Sequence, residues 1–339
     1  MAEQDPGAPP PERPEQGASA GLRLLGAFAV ALAFALAVYA LLSVVAPSEG
    51  LIGFGFLAVL PAALSAFVAY VADPLARKNM GSYLMVPVWL VLAASILALV
   101  TLPEGIICVL MLAPIWLVAG LVGAGLTYYL RSRIPQGRQF VSVLALAPLL
   151  VMAAEPHLPR PEAEVTVARS IEIAAAPETV WPLLEGAGAI GPEEGIWTVT
   201  QSLIGVPRPQ AARLEGQGIG ALRRAEWQRG IRFDEVITEW EPLRRIGWAF
   251  RFGDHQGWEI TDAHLMPDSA YMQIRRGGYS MAPLPGGGVR VSLETTYWMR
   301  TPVNGYAALW GEVLLGDLEA NVLAILKARA ETRAEVARG

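Results

Sequence analysis

The sequence predicts two parts: a bundle of membrane-spanning helices, then an α+β domain in which an antiparallel sheet wraps around one long C-terminal helix. Three observations predict it. Charged residues are scarce between Leu24 and Ala154, although the rest of the chain has an ordinary complement. Several stretches after Val165 alternate apolar and polar residues at period two, the signal of half-buried strands. The stretch beginning at Thr301 carries apolar residues at three- and four-residue steps, the signal of an amphipathic helix.

Composition sets the limits. The 339 residues are enough for two domains. They are 53% hydrophobic and 17% charged, where soluble domains carry about a quarter. The net charge of −5 gives no electrostatic footprint for nucleic acid, so no nucleic-acid partner is expected. Cys108 is the only cysteine, which excludes a disulfide within the chain and argues against a thiolate metal site.

In chain order, residues 1–20 are rich in Pro, Glu, Gln and Gly and are expected to be a disordered tail. Residues 21–154 form the membrane region, with spans expected at 22–45, 51–72, 83–101, 105–130 and 140–154. The first four hold roughly the 20 apolar residues a bilayer core requires. The fifth gives roughly 22 Å of helix at 1.5 Å per residue, so it is either a thin span or an interfacial segment. Ionisable residues lie only at the margins, at Arg23, Asp73 and Glu104. Small residues at helical spacing, Ala29, Ala33 and Ala37 or Gly120 and Ala124, suit close helix packing. An anchoring bundle is expected; the interior prolines Pro61, Pro87, Pro114 and Pro148 leave a transporter or membrane enzyme as the alternative.

Loop charges set the orientation. Arg77 and Lys78 follow the second span, and Arg131, Arg133 and Arg138 follow the fourth, while loops 46–50 and 102–104 have no Lys or Arg. The positive-inside rule places the amino terminus in the cytoplasm and, if the fifth span crosses, residue 155 onward outside it. The expected location is a bacterial inner membrane. Residues 155–164 (EPHLPRPEAE) are a proline-rich, semi-rigid linker.

The soluble domain is expected over 165–333. Val165, Val167, Ile171 and Ile173 share one strand face. Pro177-Glu178 then starts a helix whose buried stripe is Val180, Trp181, Leu183 and Leu184. Further strands are expected at 196–204, 220–227, 231–240, 245–252, 258–266, 270–276 and 289–299. Pro283, Pro285 and Gly286-Gly287-Gly288 supply the last turn. Thr301-Pro302 is the expected cap of the closing helix, and Tyr306, Leu309, Trp310, Val313, Leu314, Leu318, Val322 and Ile325 its buried stripe.

Several of these segments resemble the START-like superfamily, also called SRPBCC or polyketide cyclase-like. Ile173-Ala174, Pro177-Glu178 and Val180-Trp181 match its opening strand–helix turn. Gly218 to Arg224 (GIGALRR), Phe233 to Ile246 (FDEVITEWEPLRRI), Gly286 to Val291 (GGGVRV) and the helix end at 321–331 follow in the family's order. The resemblance covers roughly residues 163–333. It implies a helix-grip fold enclosing an apolar cavity, in a family of lipid carriers, receptors and cyclases.

Chemical motifs are sparse. The glycines of 216–220 precede a strand rather than a helix, so they read as a turn and not as a phosphate loop. Asp262 and His264 share a strand face but stand about 7 Å apart, beyond direct hydrogen bonding. His157, His255 and His264 are too scattered to demand a metal, and no nucleophile motif is present. No cofactor or metal is expected.

Tryptophan is the oddity. Trp181, Trp197, Trp227, Trp240, Trp248, Trp258, Trp298 and Trp310 all fall in the soluble half. They read either as a tryptophan-rich core or as the wall of a small-molecule cavity. The candidate ligand-binding residues are Trp248, Tyr271, Tyr297, Trp310 and Glu235, with Tyr279 and Arg275 as further polar anchors. Tyr297 is preferred over Trp298, because Trp298 shares its face with Arg290, Glu294 and Arg300. The expected function is a bilayer-anchored binding or carrier protein for a hydrophobic, lipid-like molecule. The alternatives are a cyclase or hydratase using Asp262, His264 or Tyr279, and a protein-interaction or sensor module. The oligomeric state has no sequence signal.

Overall fold

A computed structural model of the chain describes residues 14–46, 50–102, 105–131, 133, 138–253, 255, 257–258 and 266–338. The expected pair Asp262 and His264, most of the strand expected at 258–266, and Glu104 lie outside the described residues. Two compact units are found, one within 1–97 and 112–157, the other within 98–111 and 158–339.

The membrane region is built of helices α1 (Pro14–Val45), α2 (Leu60–Ala72), α3 (Met80–Thr101), α4 (Ile106–Leu130) and α5 (Arg138–Ala154). Five helical segments are long and apolar enough to cross a membrane: Ala20–Val45, Gly55–Ala72, Met80–Thr101, Ile106–Leu130 and Phe140–His157. They overlap the stretches expected at 22–45, 51–72, 83–101, 105–130 and 140–154, and α1 already begins at Pro14. Gly123 lies against the Ala62 backbone, and Gly120 against Pro87 and Ser65. This is the close approach that small residues permit between membrane helices.

On α1 the buried face is Ala27, Ala31 and Val38, whereas Ala29, Ala33 and Ala37 are exposed. Strict four-residue steps drift around a helix of 3.6 residues per turn, while steps of four then seven hold one face. Two acids at the ends of the spans, Glu155 and Asp73, act as caps. Glu155 accepts from the Phe54 and Gly55 amides at 2.5 and 3.1 Å. Asp73 accepts from the Arg77 and Lys78 amides and the Tyr83 hydroxyl. Both satisfy backbone donors that helix starts and turns leave unpaired.

The second unit contains strands β1 (Glu162–Ile173), β2 (Gly188–Ala189), β3 (Pro209–Glu215), β4 (Leu222–Trp227), β5 (Arg232–Glu241), β6 (Arg245–Arg251), β7 (Met272–Pro283) and β8 (Val289–Arg300). They form one antiparallel sheet in the order β1-β8-β7-β6-β5-β4-β3-β2. Helix α6 (Pro177–Glu185) follows β1, and helix α7 (Asn304–Val336) closes the domain. This is the expected helix-grip arrangement.

Period two decides which residues face α7. On β1 the inward set is Val165, Val167, Arg169, Ile171 and Ile173; on β8 it is Val289, Val291, Leu293, Thr295, Tyr297 and Met299. The main core gathers Ile171, Ile173, Val289, Val291 and Leu293 of these with Val180, Leu183 and Leu184 of α6 and Leu323, Leu326 and Ala330 of α7, while Val165, Val167, Tyr297 and Met299 form a second cluster. Each large side chain buried there contributes about 1.5–3 kcal/mol.

Three expectations are corrected. The stretch 196–204 is no strand: Val199–Leu203 makes a single π-turn. Thr198 caps it by accepting from the Gln201 amide, and α7 clamps it, with Asp317 accepting from the Thr200 amide and Asn321 from the Ile196 amide. Helix α7 starts at Asn304 rather than behind a Thr301 cap, because the Thr301 amide and hydroxyl both donate to the Asn304 side chain at 2.8 Å.

The buried stripe of α7 is also rotated. Leu309 and Val313 are exposed, and the early contact with the sheet is made by Ala307, Ala308 and Leu315. Gly311 lets the helix approach so closely that a Cβ there would collide with the Tyr297 hydroxyl. Small residues set this face, because close backbone approach excludes large ones.

Candidate ligand-binding site

Between the inner face of the sheet and α7 lies a cavity of about 210 Å³. Alternation places Arg223, Ala225 and Trp227 of β4, Phe233 and Glu235 of β5, and Trp248 and Phe250 of β6 on its wall. Tyr279 of β7 and Leu293 and Thr295 of β8 extend it, and α7 contributes Leu315, Leu318, Glu319, Val322, Ile325 and Leu326. Trp248 finds space because its cross-strand partner is Gly277, where a Cβ would lie 2.7 Å from the indole Nε1. Any other residue there would displace the ring.

One end of the wall is aromatic. Phe233 is the centre of a ring cluster, with centroids 6.1 Å from Trp227, 5.8 Å from Phe250, 5.7 Å from Phe252 and 6.3 Å from Trp258. Trp248 joins through Phe250 at 6.2 Å and touches Tyr279 at 5.3 Å. Such offset and tilted pairs add about 0.5–1.5 kcal/mol each beyond area burial.

The polar groups are few and deeply buried. Arg223 Nη1 donates to Glu235 Oε2 at 2.5 Å, and both side chains are under one-tenth exposed. The Arg223 guanidinium also lies 5.0 Å over Trp248 and 5.5 Å over Tyr279. Burial works against the Arg223 charge, but Glu235 and Tyr279 hold its pKa above the usual value. Burial pushes Glu235 and Tyr279 up, with Arg223 pulling against it in both. The pair therefore keeps its charge internally balanced.

Glu319 differs. It is 3% exposed, and neither carboxyl oxygen has a hydrogen-bond partner among the described residues. Burial pushes its pKa up to about 8, with only partial relief from Thr295 and Arg169. The Nε of Arg223 and the Nε1 atoms of Trp248 and Trp258 are also buried without partners. Buried polar groups are normally satisfied, so these atoms stand out around the cavity.

The family model for polyketide cyclase/dehydrase and lipid transport matches residues 164–331. Residues 164–331 belong to this family. Among solved structures, the cyclase-family domain is similar to truncated norcoclaurine synthase from Thalictrum flavum, at 14% identity and a TM-score of 0.32, covering 49% of this chain and 94% of that one. The chain is also similar to the di-domain ARO/CYC BexL of the BE-7585A biosynthetic pathway, at 18% identity and a TM-score of 0.30, covering 63% of each chain. It is also similar to a Staphylococcus aureus protein of unknown function, at 9% identity and 0.33, covering 51% and 98%. No curated protein matches the chain.

Of the sequence candidates, Trp248 and Glu235 line the cavity of the cyclase-family domain, and so does Tyr279. Tyr297 faces inward but packs with Val167 and Met299 outside the lining, its hydroxyl against Gly311. Tyr271 is buried and Trp310 half-buried, and neither reaches the cavity. Trp298 faces outward under Arg275 and Arg300 and donates to Glu162. His255 is paired with Asp268 at 2.8 Å on the surface. Among the described residues no group of acids, histidines or cysteine gathers at metal-binding spacing.

Arg223 and Glu319 were missed, although both left a signal. Arg223 alternates with Ala221 and Ala225, on the apolar face of its strand. Glu319 lies four residues from Leu315 and from Leu323, on the buried side of α7. A charge at an apolar-phase position is the mark to look for.

Proposed function

We propose that the chain is a membrane-anchored binding protein whose cyclase-family domain holds a compact, largely apolar molecule between the sheet and α7. The single observation that carries this is the aromatic cavity with unpartnered polar atoms at Glu319, Arg223, Trp248 and Trp258. Its 210 Å³ exceeds the roughly 150 Å³ that accepts a benzene ring and falls short of the roughly 300–1,000 Å³ of larger ligand sites. One or two rings fit better than a two-chain lipid. Trp248 and Glu235 belong to the site, with Arg223, Phe233, Tyr279 and Glu319. The amino terminus is cytoplasmic and the domain extracytoplasmic, by the loop charges.

Native mass spectrometry of the detergent-purified chain tests this. A co-purifying molecule of one or two rings, released on unfolding, is expected; only detergent and phospholipid adducts would contradict it.

A second reading, an enzyme of the cyclase or hydratase kind, is favoured by Glu319. A carboxyl with pKa near 8 is poised for proton transfer close to neutral pH, and Tyr279 lines the same cavity. Turnover of a bound aromatic ketone that is lost in Glu319→Gln would select it over simple binding.

A further inference from the structure

Taking the cavity as a ligand site, we infer that its ligand is a compact organic ammonium, with the charged nitrogen paired to Glu319 and the apolar body set among Trp227, Phe233, Phe250, Phe252 and Trp258.

Charge balance points there first. Arg223 and Glu235 neutralise each other at 2.5 Å, so they leave the cavity no net charge. Glu319 is then the one uncompensated acid on its wall, 3% exposed and without a partner on either oxygen among the described residues. The fold gains nothing from it: an apolar side chain at that position on α7 would bury more favourably than an unpaired carboxyl. A cation pairs with the carboxylate and displaces its proton, whereas an anionic ligand would hold the carboxyl in its protonated form.

The rings supply a second, independent reason. Trp248 and Tyr279 already carry the Arg223 guanidinium. The faces of the Phe233 cluster border the same cavity as Glu319 and stay apolar, so they take the hydrocarbon or aryl body of the ligand while its nitrogen reaches the carboxyl. The volume limits the ligand to a small amine with one or two rings or a short alkyl body.

This pairing couples binding to a proton. The groups bearing on Glu319 are Thr295 and Glu294 on β8, Arg169 on β1 and Glu312 on its own helix. Across the cavity stand Arg223 of β4, Glu235 of β5 and Tyr279 of β7. In the free protein burial keeps the carboxyl protonated up to about pH 8. An entering ammonium must displace that proton, so affinity rises with pH up to 8 and then levels until the amine itself deprotonates.

Isothermal titration of the detergent-purified full chain with 2-phenylethylamine and with 2-phenylethanol, which match in shape, tests the inference. At pH 7 the amine should bind at least about tenfold tighter, and its heat should differ between phosphate and Tris buffers because a proton is released. From pH 6 to 7 the amine's affinity should rise by up to about tenfold. Glu319→Gln should abolish the preference and keep the alcohol. Equal or tighter binding of the alcohol, or no proton release, would overturn the ammonium while leaving a ligand site. Binding of neither compound would overturn both. Should Glu319→Gln fail to fold, the amine-to-alcohol ratio and proton release of the unmutated chain still decide.

Discussion

Arg223 and Glu235 face each other across neighbouring strands, register-paired between β4 and β5 and joined at 2.5 Å inside the domain. Their side chains point to the cavity because both strands place every second residue inward. A buried pair of this kind is a weak source of net stability but a strong liability when halved. Glu235→Gln alone should destabilise the domain by about 3–5 kcal/mol. Arg223→Met combined with Glu235→Leu should recover most of it. Thermal unfolding of the two variants checks this; a Glu235→Gln loss below about 1 kcal/mol would show that the pair is solvated.

Gly277 permits Trp248 to lie flat against β7. Gly277→Val should force the indole from its place, at a cost of about 1–3 kcal/mol for overpacking. The checks are the melting temperature and a red shift in tryptophan emission. An unchanged spectrum would mean that the ring is not held there.

Glu319 makes stability depend on pH. Its folded pKa is raised, to about 8, so the native state holds a proton that the unfolded chain releases above the ordinary carboxylate range. Stability should therefore fall as pH rises from about 4.5 to 8, by at most about 1.4 kcal/mol per unit, and level above it. Denaturation midpoints between pH 5 and 9 measure this. Glu319→Gln should flatten the slope, and a wild-type slope of the opposite sign would contradict the burial described.

These variants divide along what could be read from sequence. Strands β1 and β8 were legible because twelve-residue runs alternate without interruption. β3 was not, because Pro209, Ala211 and Ala212 offer little apolar contrast. The 196–204 stretch alternates like a strand, yet polar bonds from Thr198, Asp317 and Asn321 wind it into a turn. Hydropathy does not register such bonds. Spacing puts Leu309 in the buried stripe of α7, and Trp310 stands among the ligand-binding candidates, whereas Ala307, Ala308 and Gly311 win the contact by being small. For the site, Trp248 and Glu235 stand among the sequence candidates; Arg223 and Glu319 required asking which charge sits in the apolar phase of a strand or helix.

The proposed topology rests on loop charges: the positive-inside rule puts Arg77, Lys78, Arg131 and Arg133 on the cytoplasmic side. Alkaline phosphatase fused after residue 160 should be active, and green fluorescent protein fused there dark. Fluorescence without phosphatase activity would place the domain in the cytoplasm.

The claim of a ligand cavity is tested most directly by tryptophan-emission titration of the purified chain with 2-naphthol, since Trp227, Trp248 and Trp258 line the space. Ala225, 5% exposed on the cavity wall, gives the control, because Ala225→Phe fills the void. The account predicts saturable quenching in the unmutated chain and at least about tenfold weaker binding in Ala225→Phe at an unchanged melting temperature. Linear, unsaturable quenching, or the same saturation curve in both proteins, would contradict it.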